Sequence, residues 1–325
     1  MRTLRTKSAH TITGCIVAVF AFFATVAQAQ EGRPVPSPPQ SGPPPLTIES
    51  NTSLIINTNL VVLTVTVTDR EGRHISGLDK SAFSIYDDKV PQQINFFSDS
   101  DTPVSLAIIF DTSHSMSGEN IKRARQALAR FIETTHRHDE YFLISFSDRA
   151  RLLLDRTRDA DAVVDTFRYV EPRGETALYD ATYLGIEKVS HGSRARRAIL
   201  LITDGNDTCS RYTLDEVRRS LQETDVVLYA IGILAYSRIQ ARAGRRTLNE
   251  LASMSGGKAF FPNSAAETID AFERIALELR HRYSIGYRPS DLTADRRWHR
   301  IKVNVISNVG SRHRVRNRSG FYAPE

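Results

Sequence analysis

The sequence predicts an α/β fold, in which helices cover both faces of a mostly parallel central sheet. In the middle of this 325-residue chain, short apolar runs of strand length alternate with segments whose apolar residues recur at helical spacing. The composition is that of a globular protein, with 41% hydrophobic and 25% charged residues. Segments of β character flank this part on both sides. Such alternation is typical of a Rossmann-like sheet.

The first 29 residues have the pattern of a secretory signal peptide. Basic residues precede an apolar run from Ile16 to Val26, and Ala27-Gln28-Ala29 predicts cleavage near Ala29/Gln30. The run is shorter than the roughly 20 residues that a membrane helix needs. We therefore expect an exported protein, periplasmic or secreted. An uncleaved N-terminal anchor and lipidation at Cys15 are the alternatives.

Residues 30–50 are predicted to be a proline-rich linker, because seven of the thirteen prolines lie between positions 31 and 45. Loss of residues 1–29 removes three basic residues and no acidic one, so the formal charge falls from +6 to +3. A nucleic-acid partner is therefore not expected. The remaining basic residues concentrate near the C-terminus, which favours either a solvated strand surface or contact with an anionic envelope surface.

The flanks, residues 51–102 and 283–325, are each predicted to be β segments. Their alternating apolar residues and polar turns predict strands at 60–68, 83–86, 94–97, 283–287, 299–306 and 314–322. Neither flank has enough strands to be stable alone. We therefore expect the two to complete one small β-sandwich-like unit.

Residues 103–282 are predicted to form the α/β domain. Apolar runs predict strands at 106–110, 141–146, 150–154, 198–202, 226–231 and 258–261. Helical spacing predicts helices at 121–132, 160–167, 178–189, 214–222, 248–253 and 267–280. Only Cys209 remains after the predicted cleavage, so no intramolecular disulfide is expected.

Three distant segments carry the candidate site. They contribute two carboxylates and three hydroxyls, from Asp111, Ser113, Ser115, Thr176 and Asp204. These hard oxygen donors suit Mg²⁺ or Mn²⁺. Asp111 and Asp204 each follow an apolar strand, which predicts that both lie at the carboxyl edge of the sheet. Convergence requires the two strands to be neighbours.

The three segments resemble the metal-ion-dependent adhesion site of von Willebrand factor type A domains. The resemblance rests on Asp-x-Ser-x-Ser from Asp111, on Thr176-Ala177-Leu178-Tyr179-Asp180, and on Thr-Asp-Gly at Asp204, and it covers about Val104 to Arg282. It implies that the three hydroxyls ligate the metal and that the aspartates bind directly or through water. His114 and Glu175 stand where the family often has glycine, and both are expected to be exposed.

The resemblance implies a non-enzymatic module that captures an Asp or Glu of a protein partner on the open position of the metal. The flanks also resemble those of exported bacterial proteins that carry this domain. A further hypothesis from the resemblance is that partner binding shifts the helix at 267–280.

Two other functions remain open. A haloacid-dehalogenase-like phosphohydrolase would use Asp111 and the Asp204 loop, but Ser113 stands where its general acid would be, and a serine does not protonate a leaving group near neutral pH. A structural envelope scaffold would use the same Ser, Thr and Asp residues only as helix and turn caps. The sequence shows no nucleophile elbow and no phosphate-binding loop.

Overall fold

The computed structural model describes residues 60–233, 238–290, 297–306 and 313–323. The predicted signal peptide, linker and Cys15 lie outside these residues. The strands are β1 (Val61–Thr68), β2 (Phe83–Asp87), β3 (Val90–Gln92), β4 (Ile94–Ser98), β5 (Val104–Asp111), β6 (Glu140–Phe146), β7 (Ala150–Thr157), β8 (Arg196–Thr203), β9 (Val227–Gly232), β10 (Ala259–Phe260), β11 (Tyr283–Tyr287), β12 (Trp298–Val305), β13 (Arg314–Arg316) and β14 (Gly320–Tyr322). The helices are α1 (Glu119–Thr134), α2 (Ala160–Arg168), α3 (Leu178–Ser190), α4 (Leu214–Glu223), α5 (Arg238–Met254) and α6 (Ala265–Arg280).

The central sheet has six strands in the order β10-β9-β8-β5-β6-β7. All neighbouring pairs are parallel except β6 and β7, which are antiparallel. This confirms the predicted mostly parallel sheet. All eight residues of β5 are buried, as expected for a strand covered on both faces.

Helices pack on both faces of this sheet, as predicted. Leu106, Ile108 and Phe110 of β5 belong to one apolar cluster, which includes residues of α1, α2 and α6. Ala107 and Ile109 face the other cluster, which includes residues of α3, α4 and α5. Full burial of each large aliphatic or aromatic side chain stabilises the fold by about 1.5 to 3 kcal/mol. This core fixes the strand ends that carry the candidate site.

The flanks form two four-stranded sheets, in the orders β13-β1-β11-β4 and β14-β12-β2-β3. Strand β1 pairs with β11, and β2 pairs with β12, so each sheet joins both ends of the chain. Leu63, Ile85, Ile285 and Val303 are buried in their shared core. The predicted β-sandwich-like unit is thus confirmed.

The structure corrects the predicted strand at 314–322. This segment is two short strands, β13 and β14, in different sheets. Between them the Ser319 amide donates to the Met254 carbonyl at 3.1 Å. A Cβ on Gly256 would lie 2.7 Å from the carbonyl carbon of Asn317. The chain therefore leaves one sheet, packs against the end of α5, and enters the other.

Two further elements differ from the prediction. Helix α5 begins ten residues before the predicted helix at 248–253. Strand β3 was not predicted, because Pro91 lowers the strand signal. It completes a hairpin whose turn residues, Asp88 and Lys89, both have positive φ, at 45° and 72°.

The basic C-terminal residues do not form one solvated surface. Arg282 is only 1% exposed, and its guanidinium lies 5.2 Å from the centre of the Tyr229 ring. Arg316 pairs with Glu278 of α6 at 2.6 Å. Lys302, by contrast, is exposed. The solvated interpretation is therefore wrong for Arg282 and Arg316, which pack where the sandwich meets the α/β domain.

Arg196, at the start of β8, holds the two connections between the sandwich and the α/β domain. Its Nη2 donates to the Ser100 carbonyl at 3.0 Å and to the Arg282 carbonyl at 2.9 Å. Ser100 lies between β4 and β5, and Arg282 lies between α6 and β11. One buried guanidinium therefore satisfies carbonyls of both connections. Among the described residues, no helix is both long enough and apolar enough to cross a membrane.

Candidate functional site

The ends of two neighbouring strands bring the first and third site segments together. Strands β5 and β8 are parallel neighbours, with Phe110 opposite Ile202. Asp111 ends β5, and Asp204 directly follows β8. The predicted adjacency of these strands is confirmed. Both carboxylates lie at the carboxyl edge of the sheet, where open α/β folds bind ligands.

The Asp111 carboxylate is held at both oxygens. Oδ1 accepts the Ser113 amide at 2.8 Å, and Oδ2 accepts the Thr203 hydroxyl at 2.6 Å. The Ser113 and Ser115 hydroxyl oxygens are 3.0 Å apart. A short 3₁₀ turn over His114–Met116 presents Ser115, and the fully buried Met116 anchors this turn. The local sequence thus places one carboxylate and two hydroxyls together.

The Asp204 loop depends on two glycines. Gly205 has a φ of +87°, and a Cβ there would lie 2.9 Å from the Gly244 Cα. A Cβ on Gly244 would lie 2.6 Å from the Asp204 carbonyl oxygen. The Asn206 amide donates to Asp204 Oδ1 at 3.2 Å. The close approach of α5 therefore fixes the backbone that carries Asp204.

The Thr176 loop is bonded to both other segments. The Thr176 amide donates to the Thr208 hydroxyl, and the Thr208 amide donates to the Thr176 carbonyl, each at 2.9 Å. On the other side, the His114 amide donates to the Gly174 carbonyl at 3.0 Å. Thr176 is 6% exposed. The three segments therefore form one hydrogen-bonded cluster of loops, with Thr176 placed by main-chain contacts.

Two other sequence expectations concern residues around this cluster. His114 and Glu175 are exposed, as expected for the two positions that depart from the family pattern. Cys209 is also exposed. Partial desolvation by its surroundings raises the pKa of this thiol, and the nearby carboxylates act in the same direction.

Sequence reasoning missed two hydroxyls that position the site. Thr203 holds Asp111 and also accepts the Gly205 amide at 3.1 Å, so its side chain joins two of the segments. Its place directly before Asp204 was the available signal. Thr208 gave no such signal, because its contact with Thr176 depends on how two distant loops meet.

The electrostatics of the site favour a bound cation. Asp111 is 0% exposed and Asp204 is 6% exposed. Burial raises the pKa of Asp111 to about 6, the Asp204 charge adds to this, and bonds from Ser113 and Thr203 oppose it. No Lys, Arg or His of the described residues forms an ion pair with either carboxylate. Two buried neighbouring carboxylates without a protein cation, beside hydroxyl donors, fit a divalent metal ion.

A second acidic cluster lies in the sandwich. Potential ligand atoms of Asp87, Asp88 and His299 lie within 4.8 Å of one another. Both oxygens of Asp87 already have partners, since one is 3.0 Å from His299 Nδ1 and the other accepts the Tyr287 hydroxyl at 2.9 Å. This cluster is therefore explained as a hydrogen-bond network that joins the two sheets.

Comparison with known proteins identifies the α/β domain. The family model of the von Willebrand factor type A domain matches residues 105–274, more than half of the chain. The uncharacterized protein sll0103 of Synechocystis is 28% identical over 116 residues, which are 33% of this chain and 28% of that protein. The inter-alpha-trypsin inhibitor heavy chain H4 of Sus scrofa is 26% identical over 131 residues, 37% of this chain and 14% of that protein.

The chain thus matches less than a third of the length of these two relatives. Among solved structures, a von Willebrand factor type A protein from Catenulispora acidiphila has a TM-score of 0.48 and 13% identity, covering 81% of this chain and 75% of its own. The family match covers both aspartates, Thr176 and the strands that carry them. The chain belongs to the von Willebrand factor type A domain family.

Proposed function

We propose that this chain is an exported module that binds Mg²⁺ or Mn²⁺ through Asp111, Ser113, Ser115, Thr176 and Asp204. In this proposal it captures an Asp or Glu of a protein partner. Domains of this family typically act in adhesion and protein binding, and are mostly non-enzymatic. Export, through cleavage of residues 1–29 and with residues 30–50 as a spacer, belongs to the same proposal.

One observation carries the proposal: two buried carboxylates lie at adjacent strand ends with no cationic partner among the described residues. Different residues would have different roles at the metal site. Thr203 and the Ser113 amide hold Asp111 in a fixed orientation. Ser115 is exposed, so the site opens toward solvent on that side. When bound, the cation would supply a positive centre whose charge the hydroxyls leave largely unneutralised.

The test is affinity capture from the native envelope with the wild-type protein and with Thr176→Ala, each with and without EDTA. Thr166→Ala in α2 is a matched control, because the described structure gives its side chain no hydrogen bond. The proposal expects a partner that only the wild type and Thr166→Ala retain, and only without EDTA. Identical captures in every arm would reject metal-dependent adhesion in favour of a scaffold. Metal-dependent release of phosphate would favour an enzyme.

A further inference from the structure

A basic groove lies directly beside the candidate metal site. It has a volume of about 300 Å³ and is lined by Thr112, Arg149, Arg151, Tyr169 and Arg173, among others. We call it the arginine groove. Thr112 of the groove directly precedes Ser113 of the metal site, so one peptide bond joins the two.

The three guanidinium groups of this groove are available to a partner. Arg149, Arg151 and Arg173 are all exposed. In the part of the chain that the structure describes, none of their side chains forms an ion pair or a hydrogen bond, whereas Arg73, Arg168 and Arg218 each pair with a nearby carboxylate. The groove lining contains one carboxylate, Glu171. Its net charge is therefore positive, which favours a partner rich in carboxylates.

The groove is fixed rigidly to the site. The Arg173 amide donates to the Thr112 carbonyl at 2.7 Å. Thr112 in turn donates its amide and its hydroxyl to the Phe146 carbonyl, at 2.7 and 2.8 Å. The wall that carries Arg173 is thus bonded through Thr112 to β6. A ligand that binds the site is held at a defined position relative to the arginines.

The strand register gives the backbone distance between Asp111 of the metal site and the strand that carries Arg151. Asp111 is opposite Phe146 on β6, Phe146 is opposite Ala150 on β7, and Arg151 follows Ala150. Two strand spacings, about 10 Å between the backbones, separate Asp111 from Ala150, the neighbour of Arg151. An extended peptide rises about 3.3 Å per residue and its side chains alternate between two faces, so the side chain four residues away, at about 13 Å, faces the protein again. The long arginine side chains can span the remaining few ångströms.

We propose that the arginine groove selects the partner of the metal site: it binds a second carboxylate four residues from the one at the metal. The partner is thus an extended acidic segment of a protein. Tyr169, which is 79% exposed at the groove, packs against the segment between its two acidic residues. This inference rests on the proposed function, because the metal site supplies the first anchor.

The probes are fluorescent Gly/Ser peptides, read by anisotropy with Mg²⁺ or Mn²⁺ at low ionic strength. One peptide has a single central Asp, one has a further Asp four residues to each side, and one has Lys at those positions. The triple-Asp peptide should bind the wild-type protein about three- to tenfold more tightly than the single-Asp peptide, and the Lys peptide more weakly than either. The double variant Arg149→Gln/Arg151→Gln should remove this advantage.

Arg130→Gln on α1 is the matched control, because Arg130 is also exposed and has no ion pair in the described structure. It should bind all three peptides as the wild type does. Equal binding of the three peptides to the wild type, or an unchanged preference in the double variant, would overturn the inference while metal-dependent binding of the single-Asp peptide still stands. Loss of metal dependence with retention of the arginine-dependent preference would instead reject the proposed function.

Discussion

Replacement of Thr203 by valine tests whether Asp111 is held as the structure indicates. Thr203 is 0% exposed, and valine keeps its shape while removing the hydroxyl. Asp111 Oδ2 then loses a 2.6 Å hydrogen bond, and the Gly205 amide loses its acceptor at 3.1 Å. A hydrogen bond to a charged group contributes about 1.5 to 3 kcal/mol, and an orphaned buried donor costs about 1 to 3 kcal/mol. Because the two losses overlap, we expect destabilisation by about 2 to 4 kcal/mol.

The measurement is urea unfolding in EDTA, so that no bound metal contributes to the free energy. Thr182→Val is a matched control, since Thr182 is equally buried but its hydroxyl donates to the Leu178 carbonyl inside α3 at 2.8 Å. That carbonyl lies inside a helix, where a main-chain amide can also donate to it. We therefore expect the free energy of unfolding to fall by at most about 1 kcal/mol. Equal losses in the two variants would refute the assigned role of Thr203.

Three further predictions concern the backbone, the pH dependence and the connections to the sandwich. Gly205→Ala should lower the free energy of unfolding, measured in urea, by about 2 to 4 kcal/mol, because Gly205 has a positive φ and its new Cβ would contact Gly244. Gly77 also has a positive φ, but nothing lies within 4 Å of a Cβ there. Gly77→Ala should therefore lower the free energy of unfolding by only about 1 kcal/mol. Burial, with the nearby His281, lowers the pKa of His74 to about 4, so the unfolded chain binds the additional proton between about pH 6.5 and 4. Stability should therefore fall by about 1 to 2 kcal/mol as pH drops through this range, allowing for solvent screening, and His74→Gln should flatten the profile of unfolding against pH. Arg196→Met should lower the free energy of unfolding in urea by about 2 to 3 kcal/mol, because two carbonyls lose their donor. Arg197→Met loses only a partly exposed ion pair with Asp225, so it should lower the free energy of unfolding by at most about 1 kcal/mol. Similar losses in the two variants would contradict the role of Arg196.

Sequence periodicity predicted most of the α/β domain because its strands and helices bury regular apolar patterns. Strand β5 is a continuous apolar run that ends at Asp111, and α1 repeats its apolar residues at helical spacing. The flanks were harder, because short strands of a sandwich carry few residues each. The residues at 314–322 were predicted as one strand, although Asn317 and Ser319 interrupt the β pattern, and the pairing of β13 with β1 and of β14 with β12 shows that they divide between two sheets.

The candidate site was predictable where its residues are adjacent in sequence to strand ends. Asp111 and Asp204 follow apolar runs, so the parallel sheet alone places them at one edge. Contacts between distant loops were not predictable in this way. The bond between Thr208 and Thr176, and the close approach of Gly244 to Gly205, depend on tertiary packing that no local pattern records.

Direct measurement of metal binding tests the central claim. Isothermal titration of the chelator-treated protein with Mn²⁺ and Mg²⁺ should show one site in the wild type. Asp204→Asn should bind much more weakly, since it removes one of the two charges that balance the cation, and Thr166→Ala should bind as the wild type does. Absence of binding in the wild type, or equal binding by Asp204→Asn, would contradict a metal site at the carboxyl edge of the sheet.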